Sequence, residues 1–351
     1  MLQRNLSSWQ RPRWQQALAE AINNPSELLK LLELPQDALP ISGSAARQFP
    51  LRVPRSYVAR MRKGDPDDPL LRQILPIAAE ELESAGFHND PVGDLKAMPV
   101  PGVLHKYRGR VLLITTGACG IHCRYCFRRH FPYGDANPAT DDWRPALDYI
   151  TADSTISEVI LSGGDPLALP DHRLAGLAAQ LGAIPHIKRL RIHSRLPIVL
   201  PERIDASFLA WLEASPLQKV MVVHANHPNE IGDDTVRALR SLQRGGVTVL
   251  NQAVLLRGVN DSADILAALS ETLFAAGVLP YYLHLLDKVQ GAVHFDVPEM
   301  DAVNLIKALQ NRLPGYLVPR LVREMAGTPA KIPVHGPGSA DAVHEKTGIL
   351  L

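Results

Sequence analysis

The chain has 351 residues, 37 Lys plus Arg against 36 Asp plus Glu, 46% hydrophobic residues and 3 cysteines. A net charge of +1 gives no bulk field to hold a polyanion, and no long basic run stands in for one, so neither nucleic acid nor an anionic membrane surface is expected as a partner. The amino terminus, MLQRNLSSWQRPRWQQ, is polar where a secretory signal needs an apolar core of about 7 to 15 residues. No uncharged stretch approaches the roughly 20 residues that cross a bilayer; the longest, Val111 to Ile121, is interrupted by Thr, Gly and Cys. A cytoplasmic protein is expected.

Residues 1–100 read as a helical N-terminal region with proline-rich joints. Trp9 to Leu34 and Asp68 to Ala85 carry apolar residues at helical spacing, the second opened by Asp68 as cap and Pro69 as first position. Leu39 to Pro54 reads as a connector, and no strand pattern is evident before residue 100. These helices suit either an interface in a homo-oligomer or a cap on the remainder of the chain.

From Arg110 the texture changes to short β-branched runs alternating with helical stretches. The predicted strands are Val111–Thr115, Glu158–Ser162, Arg189–His193, Lys219–His224, Val247–Gln252 and Pro280–Leu286. Helices are predicted between them over Asp171–Leu181, Ala206–Glu213, Asp234–Arg244 and Ala263–Ala276. This is an α/β pattern of six βα units, whose near-continuous apolar strands predict a parallel sheet buried on both faces. Nearly every predicted strand ends in reactive side chains: cysteines, then GGD, HSR, HANHPNE, NQ and Asp287. A doubly wound sheet concentrates function at one switch point, whereas a barrel gathers every strand end at one mouth, so a partial (β/α)6 barrel is favoured.

All three cysteines fall between Cys119 and Cys126, which excludes a disulfide framework. Three soft ligands in a loop after a buried strand suit two metal centres. One is zinc, with His122 or His130 as fourth ligand. The other is a four-iron cluster held by Cys119, Cys123 and Cys126, with one iron left open for a ligand.

The C-x3-C-x2-C spacing after the first strand of such a chain resembles the radical S-adenosylmethionine superfamily, whose cluster chelates S-adenosylmethionine through the open iron and cleaves it to a 5'-deoxyadenosyl radical. Ser162-Gly163-Gly164-Asp165 resembles that superfamily's Gly-Gly-acid motif, which contacts the methionine amino group. Longer strings, Lys106-Tyr-Arg-Gly-Arg110, Cys123-Arg-Tyr-Cys126-Phe-Arg128-Arg, His227-Pro-Asn-Glu230 and Asn251-Gln252 through Asp261, resemble the lysine 2,3-aminomutase branch over roughly 74–331. His284 through Phe295 and the short tail look most like the subfamily that acts with elongation factor P. The resemblance implies a radical SAM core over 105–328 and a C-terminal segment, 329–351, carrying the cofactor lysine. It also implies conversion of free L-α-lysine to (R)-β-lysine, later attached to elongation factor P by a separate ligase, so both of these are indirect partners.

By the same resemblance a second cofactor, pyridoxal 5'-phosphate, is held as a Schiff base by Lys331 in Gly327-Thr-Pro-Ala-Lys331-Ile-Pro. Lys106, Tyr107 and Arg110 match positions that hold its phosphate. Arg128 matches the arginine that pairs with the substrate carboxylate, a task suited to a bidentate guanidinium. His224 and Gln252 match contacts to S-adenosylmethionine, and Asp287 and Glu324 match two carboxylates that hold the ε-ammonium of lysine. Glu324 departs from the free-lysine catabolic enzymes, which carry aspartate there. Two other functions stay open: a radical aminomutase for another amino acid, and a zinc-stabilised binding protein without catalysis.

Overall fold

The computed structural model describes residues 12–134 and 143–336. The polar amino terminus with Trp9, and the tail beyond residue 336, lie outside the described residues. One nine-stranded sheet organises the chain in strictly sequential order. Its strands are β1 (Val103–Tyr107), β2 (Arg110–Thr116), β3 (Glu158–Gly163), β4 (Arg189–Ser194), β5 (Gln218–Val223), β6 (Thr248–Val254), β7 (Leu279–His284), β8 (Arg320–Arg323) and β9 (Ile332–Pro333). From β2 to β8 every pairing is parallel. The two edges are antiparallel, β1 on β2 and β9 on β8.

All six predicted strands are present as β2 to β7, separated by helices that include Asp171–Gly182, Ala206–Ala214, Asp233–Arg244 and Ala263–Ala275. The α/β partial barrel expected from the sequence is the observed architecture, extended by β8 after the helix Glu299–Gln310. Helix Asp171–Gly182 shows why the periodicity works: Leu174, Leu177, Ala178 and Leu181 form one fully buried stripe. β1 escapes the pattern because its run is five residues and joins β2 through a two-residue turn whose Gly109 has φ +78°.

Burial on both strand faces holds for β3, where all six residues are buried, but not throughout. In β4 burial alternates, with Leu190, Ile192 and Ser194 packed and Arg189, Arg191 and His193 only partly covered. β6 alternates likewise. The less covered residues at the carboxyl ends, His193 of β4 and Gln252 and Val254 of β6, line a cavity, so there period-two polarity marks the barrel mouth instead of solvent.

The N-terminal region differs from the two long helical runs expected. Pro25 starts a new helix, Pro25–Leu31, capped by Asn24, so the first run splits into Arg13–Ala19 and Pro25–Leu31. Between them Ile22 makes an antiparallel bridge with Val53. Asp68 does cap, accepting from the Leu70 and Leu71 amides at 2.8 and 3.1 Å, yet its helix ends at Arg72 and only a 3-10 turn, Ala78–Glu81, follows Pro76. These segments brace the cysteine loop. The His122 amide donates to the Arg52 carbonyl and the Arg124 amide to that of Gln73, while buried Glu80 pairs with Arg124 and Arg129 at 2.5 and 2.7 Å.

Candidate active site

The carboxyl ends of β2 to β8 open into one cavity with about 1530 Å³ of space between atoms, part of it open to solvent. Cys119, Cys123 and Cys126 line it, as do Ser162, Gly163, Gly164 and Asp165 after β3. The sequence-matched His224, Gln252, Asp287, Glu324 and Lys331 line the same cavity from the other strand ends, with Lys106, Tyr107 and Arg110 from the β1–β2 hairpin and Arg128 from the cysteine loop. Every residue that the resemblance assigns to a cofactor or to the substrate therefore reaches one space.

Burial pushes the Cys119 thiol well up and Cys126 to about 11, helped by the neighbouring cysteines. Unliganded, they stay protonated; a bound metal centre would draw them to thiolates. Among the described residues no three His, Cys, Asp or Glu side chains converge on one point as a single metal ion requires. The thiolates of a four-iron cluster bind separate irons and need only face one cavity. Of the two histidines weighed as a fourth zinc ligand, His122 places Nδ1 2.8 Å from the Pro50 carbonyl and His130 places Nε2 3.2 Å from that of Gln290, which leaves each a second ring nitrogen, but neither lines the cavity that the cysteines face. The residues fit the cluster better than zinc.

The glycines of the SGGD string serve a packing need different from close approach to a ligand. A Cβ on Gly164 would lie 2.4 Å from the Ala118 carbonyl oxygen, and one on Gly163 2.6 Å from that of Thr116. Gly163 also has φ +118°, which disfavours any side chain. β3 can thus lie directly against the cysteine loop only because both positions lack Cβ. Asp165, expected at the methionine amino group, spends its carboxylate inside the protein. It accepts from the Leu167 amide at 3.0 Å, Ser194 Oγ at 2.7 Å, and the Arg195 and Leu196 amides at 2.8 and 3.1 Å, fastening the end of β3 to that of β4. The acid of the motif is a brace here, which leaves Ser162 and the glycine backbone to meet a ligand.

Across the cavity runs a line of alternating charges. Lys331 Nζ lies 2.5 Å from Glu324, Glu324 3.0 Å from Lys106 Nζ, Lys106 2.5 Å from Asp94, and Asp94 2.7 Å from Arg128 Nε. Burial raises the Glu324 carboxyl, but Lys331 and Lys106 outweigh it and hold the group at about 2. Asp94 likewise sits below its ordinary value, with burial offset by Arg128 and Lys106. Three cations against two anions leave this line one positive charge in excess, which suits anionic ligands such as a phosphate or a carboxylate. Arg110 stacks over the Tyr107 ring at 4.6 Å on the same hairpin. The donor set fits a pyridoxal phosphate: a lysine for its aldehyde, and basic and phenolic groups for its phosphate.

Asp287 stands apart from that line. Burial first, and Glu324 second, raise its carboxyl to about 7, well above the ordinary carboxylate range. His193, His224 and His284 face the cavity with buried Nε2 atoms that have no hydrogen-bond partner among the described residues. Burial, helped by Arg195, lowers His224 to about 4, so this imidazole is neutral.

Sequence reasoning missed Asp94, which sits in an irregular stretch without periodicity or motif. It also missed Arg195 as more than a strand-end cation, although the HSR string contains it, and His193 and His284, which read as strand residues.

A radical SAM superfamily model matches residues 113–269. The chain is 51% identical over 319 residues to the L-lysine 2,3-aminomutase of Haemophilus influenzae, covering 91% of this chain and 94% of that one. It is 50% identical over 330 residues to the Escherichia coli protein of the same name, covering 94% and 96%. Against the L-lysine 2,3-aminomutase of Clostridium subterminale identity is 34% over 330 residues, 93% of this chain and 78% of that one.

Proposed function

The chain belongs to the L-lysine 2,3-aminomutase family of radical SAM enzymes, and on that premise we propose that it converts free L-α-lysine to (R)-β-lysine. The observation that carries this reading is the convergence in one cavity of three cysteines, a lysine on a line of buried ion pairs, and a carboxyl group held near neutrality.

The family's cluster and S-adenosylmethionine supply a hydrogen-abstracting radical, and pyridoxal phosphate supplies a carbonyl on which the amino nitrogen can travel. This chain's residues supply the rest. Cys119, Cys123 and Cys126 ligate three irons. Ser162, the Gly163–Gly164 backbone, His224 and Gln252 bound the space for S-adenosylmethionine. Lys331 is the cofactor lysine, and Lys106, Tyr107 and Arg110 face the phosphate.

Arg128 meets the substrate carboxylate. Its side chain is already oriented by Asp94 and by Ser162 Oγ, 3.3 Å from Nη1, so little ordering entropy remains to be lost on binding. Asp287 takes the ε-ammonium, which draws off its proton. Glu324 is shared between Lys106 and Lys331 in this structure, so it can join Asp287 only when Lys331 turns to the cofactor. Its two oxygens divide between the lysines, Oε1 accepting from Lys106 and Oε2 from Lys331.

The resemblance of His284 through Phe295 to the elongation factor P subfamily supports a further assignment: the product passes to a ligase that attaches it to that factor, in the cytoplasm. No described helix is long and apolar enough to cross a membrane.

The test is anaerobic reconstitution with iron, sulfide and pyridoxal phosphate, followed by L-lysine, S-adenosylmethionine and a strong reductant. β-Lysine is the expected product. 5'-Deoxyadenosine without β-lysine would mean that the radical chemistry stands and the substrate is another amino acid. Conversion of lysine only after its attachment to the factor would overturn the free-lysine reading.

A further inference from the structure

The three cysteines do not face equivalent surroundings. Arg195, at the end of β4 and 5% exposed, places Nη1 2.5 Å from Cys123 Sγ. Its other terminal nitrogen, Nη2, donates to Gln73 Oε1 at 2.8 Å, Glu230 Oε2 at 3.0 Å and Tyr57 Oη at 3.2 Å. The Tyr57 and Tyr125 rings lie on the guanidinium, each centroid 5.6 Å away. Nε is buried with no hydrogen-bond partner among the described residues.

The setting holds this cation rigidly. Asp165 fixes the Arg195 backbone. Glu230, fully buried, is itself held by the Asn226 and His227 amides at 2.8 and 3.1 Å. Lysine could not replace the arginine here without loss, because a point ammonium cannot serve a sulfur and three oxygens on separate elements as a planar fork does.

We propose that Arg195 sets the reduction potential of the iron–sulfur cluster by donating to the Cys123 sulfur, with Glu230 as the opposing charge that tempers it. Reduction adds one electron, from an external low-potential donor, to a centre already held by thiolates. An N–H donor and a positive charge on a ligating sulfur favour the more negative, reduced state, so they raise the potential. A nearby carboxylate does the reverse. Tyr57 and Gln73 make the N-terminal region part of this tuning, because their oxygens fix the guanidinium in place.

The inference rests on the three cysteines being cluster ligands. It is tested on the full-length protein, reconstituted anaerobically with iron and sulfide, by redox titration of the cluster's visible absorbance and of the reduced-state electron paramagnetic resonance signal. Arg195→Met should titrate at lower potential than wild type, with Arg195→Lys between the two. Glu230→Gln should shift in the opposite direction, a pair of opposite signs that a purely structural role would not produce. Equal potentials in all four proteins, at equal cluster content, would overturn the inference. If Arg195→Met fails to hold a cluster, Glu230→Gln decides: an upward shift supports the assignment and no shift removes it. Failure of wild type to form any cluster would overturn the cysteine reading itself, and this inference with it.

Discussion

Arg128 Nε and Asp94 Oδ2 lie 2.7 Å apart with both side chains less than 10% exposed, and the other oxygen of Asp94 holds Lys106 at 2.5 Å. One carboxylate thus orients both the arginine proposed to meet the substrate carboxylate and a lysine proposed to face the cofactor phosphate. Breaking a buried ion pair from one side costs about 3–5 kcal/mol because the partner charge stays buried. Asp94→Ala should lose that much unfolding free energy by denaturant titration of the cofactor-free protein, and Asp94→Asn less. A loss under about 1 kcal/mol in Asp94→Ala would show that water can take over the pairing.

Asp287 carries a pH dependence with a definite sign. Its carboxyl sits at about 7 in the fold against an ordinary 3.8, so the folded state binds its proton more tightly than the unfolded one. The stability it contributes is therefore complete at acid pH and is lost as pH rises through about 7. Relative to Asp287→Asn, the wild-type protein should lose stability between about pH 4 and pH 7 and run parallel above. Binding the ε-ammonium needs the ionised form, so KM for lysine should fall as pH rises through 7. In Asp287→Asn, KM should be at least ~30-fold higher and flat across this range. A flat wild-type profile would contradict the assignment.

Replacing Lys331 separates the two halves of the proposed chemistry. Lys331→Ala should still cleave S-adenosylmethionine to 5'-deoxyadenosine while β-lysine formation falls by at least ~100-fold, the scale expected when a covalent anchor is removed. Borohydride reduction of the loaded wild-type protein followed by peptide mass analysis should find the cofactor on Lys331. Full β-lysine production by Lys331→Ala would move the cofactor site elsewhere.

Gly164 tests the packing of the cysteine loop on β3. The Cβ of Gly164→Ala would meet the Ala118 carbonyl oxygen at 2.4 Å, a backbone atom that cannot step aside. The loop must shift, at a cost of about 1–3 kcal/mol, and reconstituted iron content should drop below the four irons per chain expected of wild type. Wild-type iron content and stability in this variant would show that the loop tolerates the displacement.

Much of the architecture was legible in the sequence because particular residues carry unambiguous physics. The β-branched runs that became β2 to β7 are bounded by polar residues and alternate with helical stripes, so element type and order follow from periodicity. The cysteine spacing and the strings around Lys106, His227 and Gln252 pointed to one cavity through resemblance. What was not legible depends on contacts between segments far apart in the chain. Asp94 meets Lys106 and Arg128 from an irregular stretch whose local sequence signals nothing. Asp165 reads as a ligand contact, yet its hydrogen-bonding capacity is taken by the end of β4. The N-terminal helices are shorter than their apolar spacing suggested because Pro25 and Pro76 interrupt the runs, and periodicity does not register a missing backbone donor.

A radical 1,2-amino shift on lysine in this cavity leaves an isotopic trace. The most direct measurement is mass-spectrometric and chiral analysis of the amino acid pool after anaerobic incubation of the reconstituted protein with L-lysine deuterated at the β-carbon, S-adenosylmethionine and a strong reductant. The expected products are (R)-β-lysine and 5'-deoxyadenosine that carries deuterium. Unchanged lysine in protein with verified cluster and pyridoxal phosphate would contradict it.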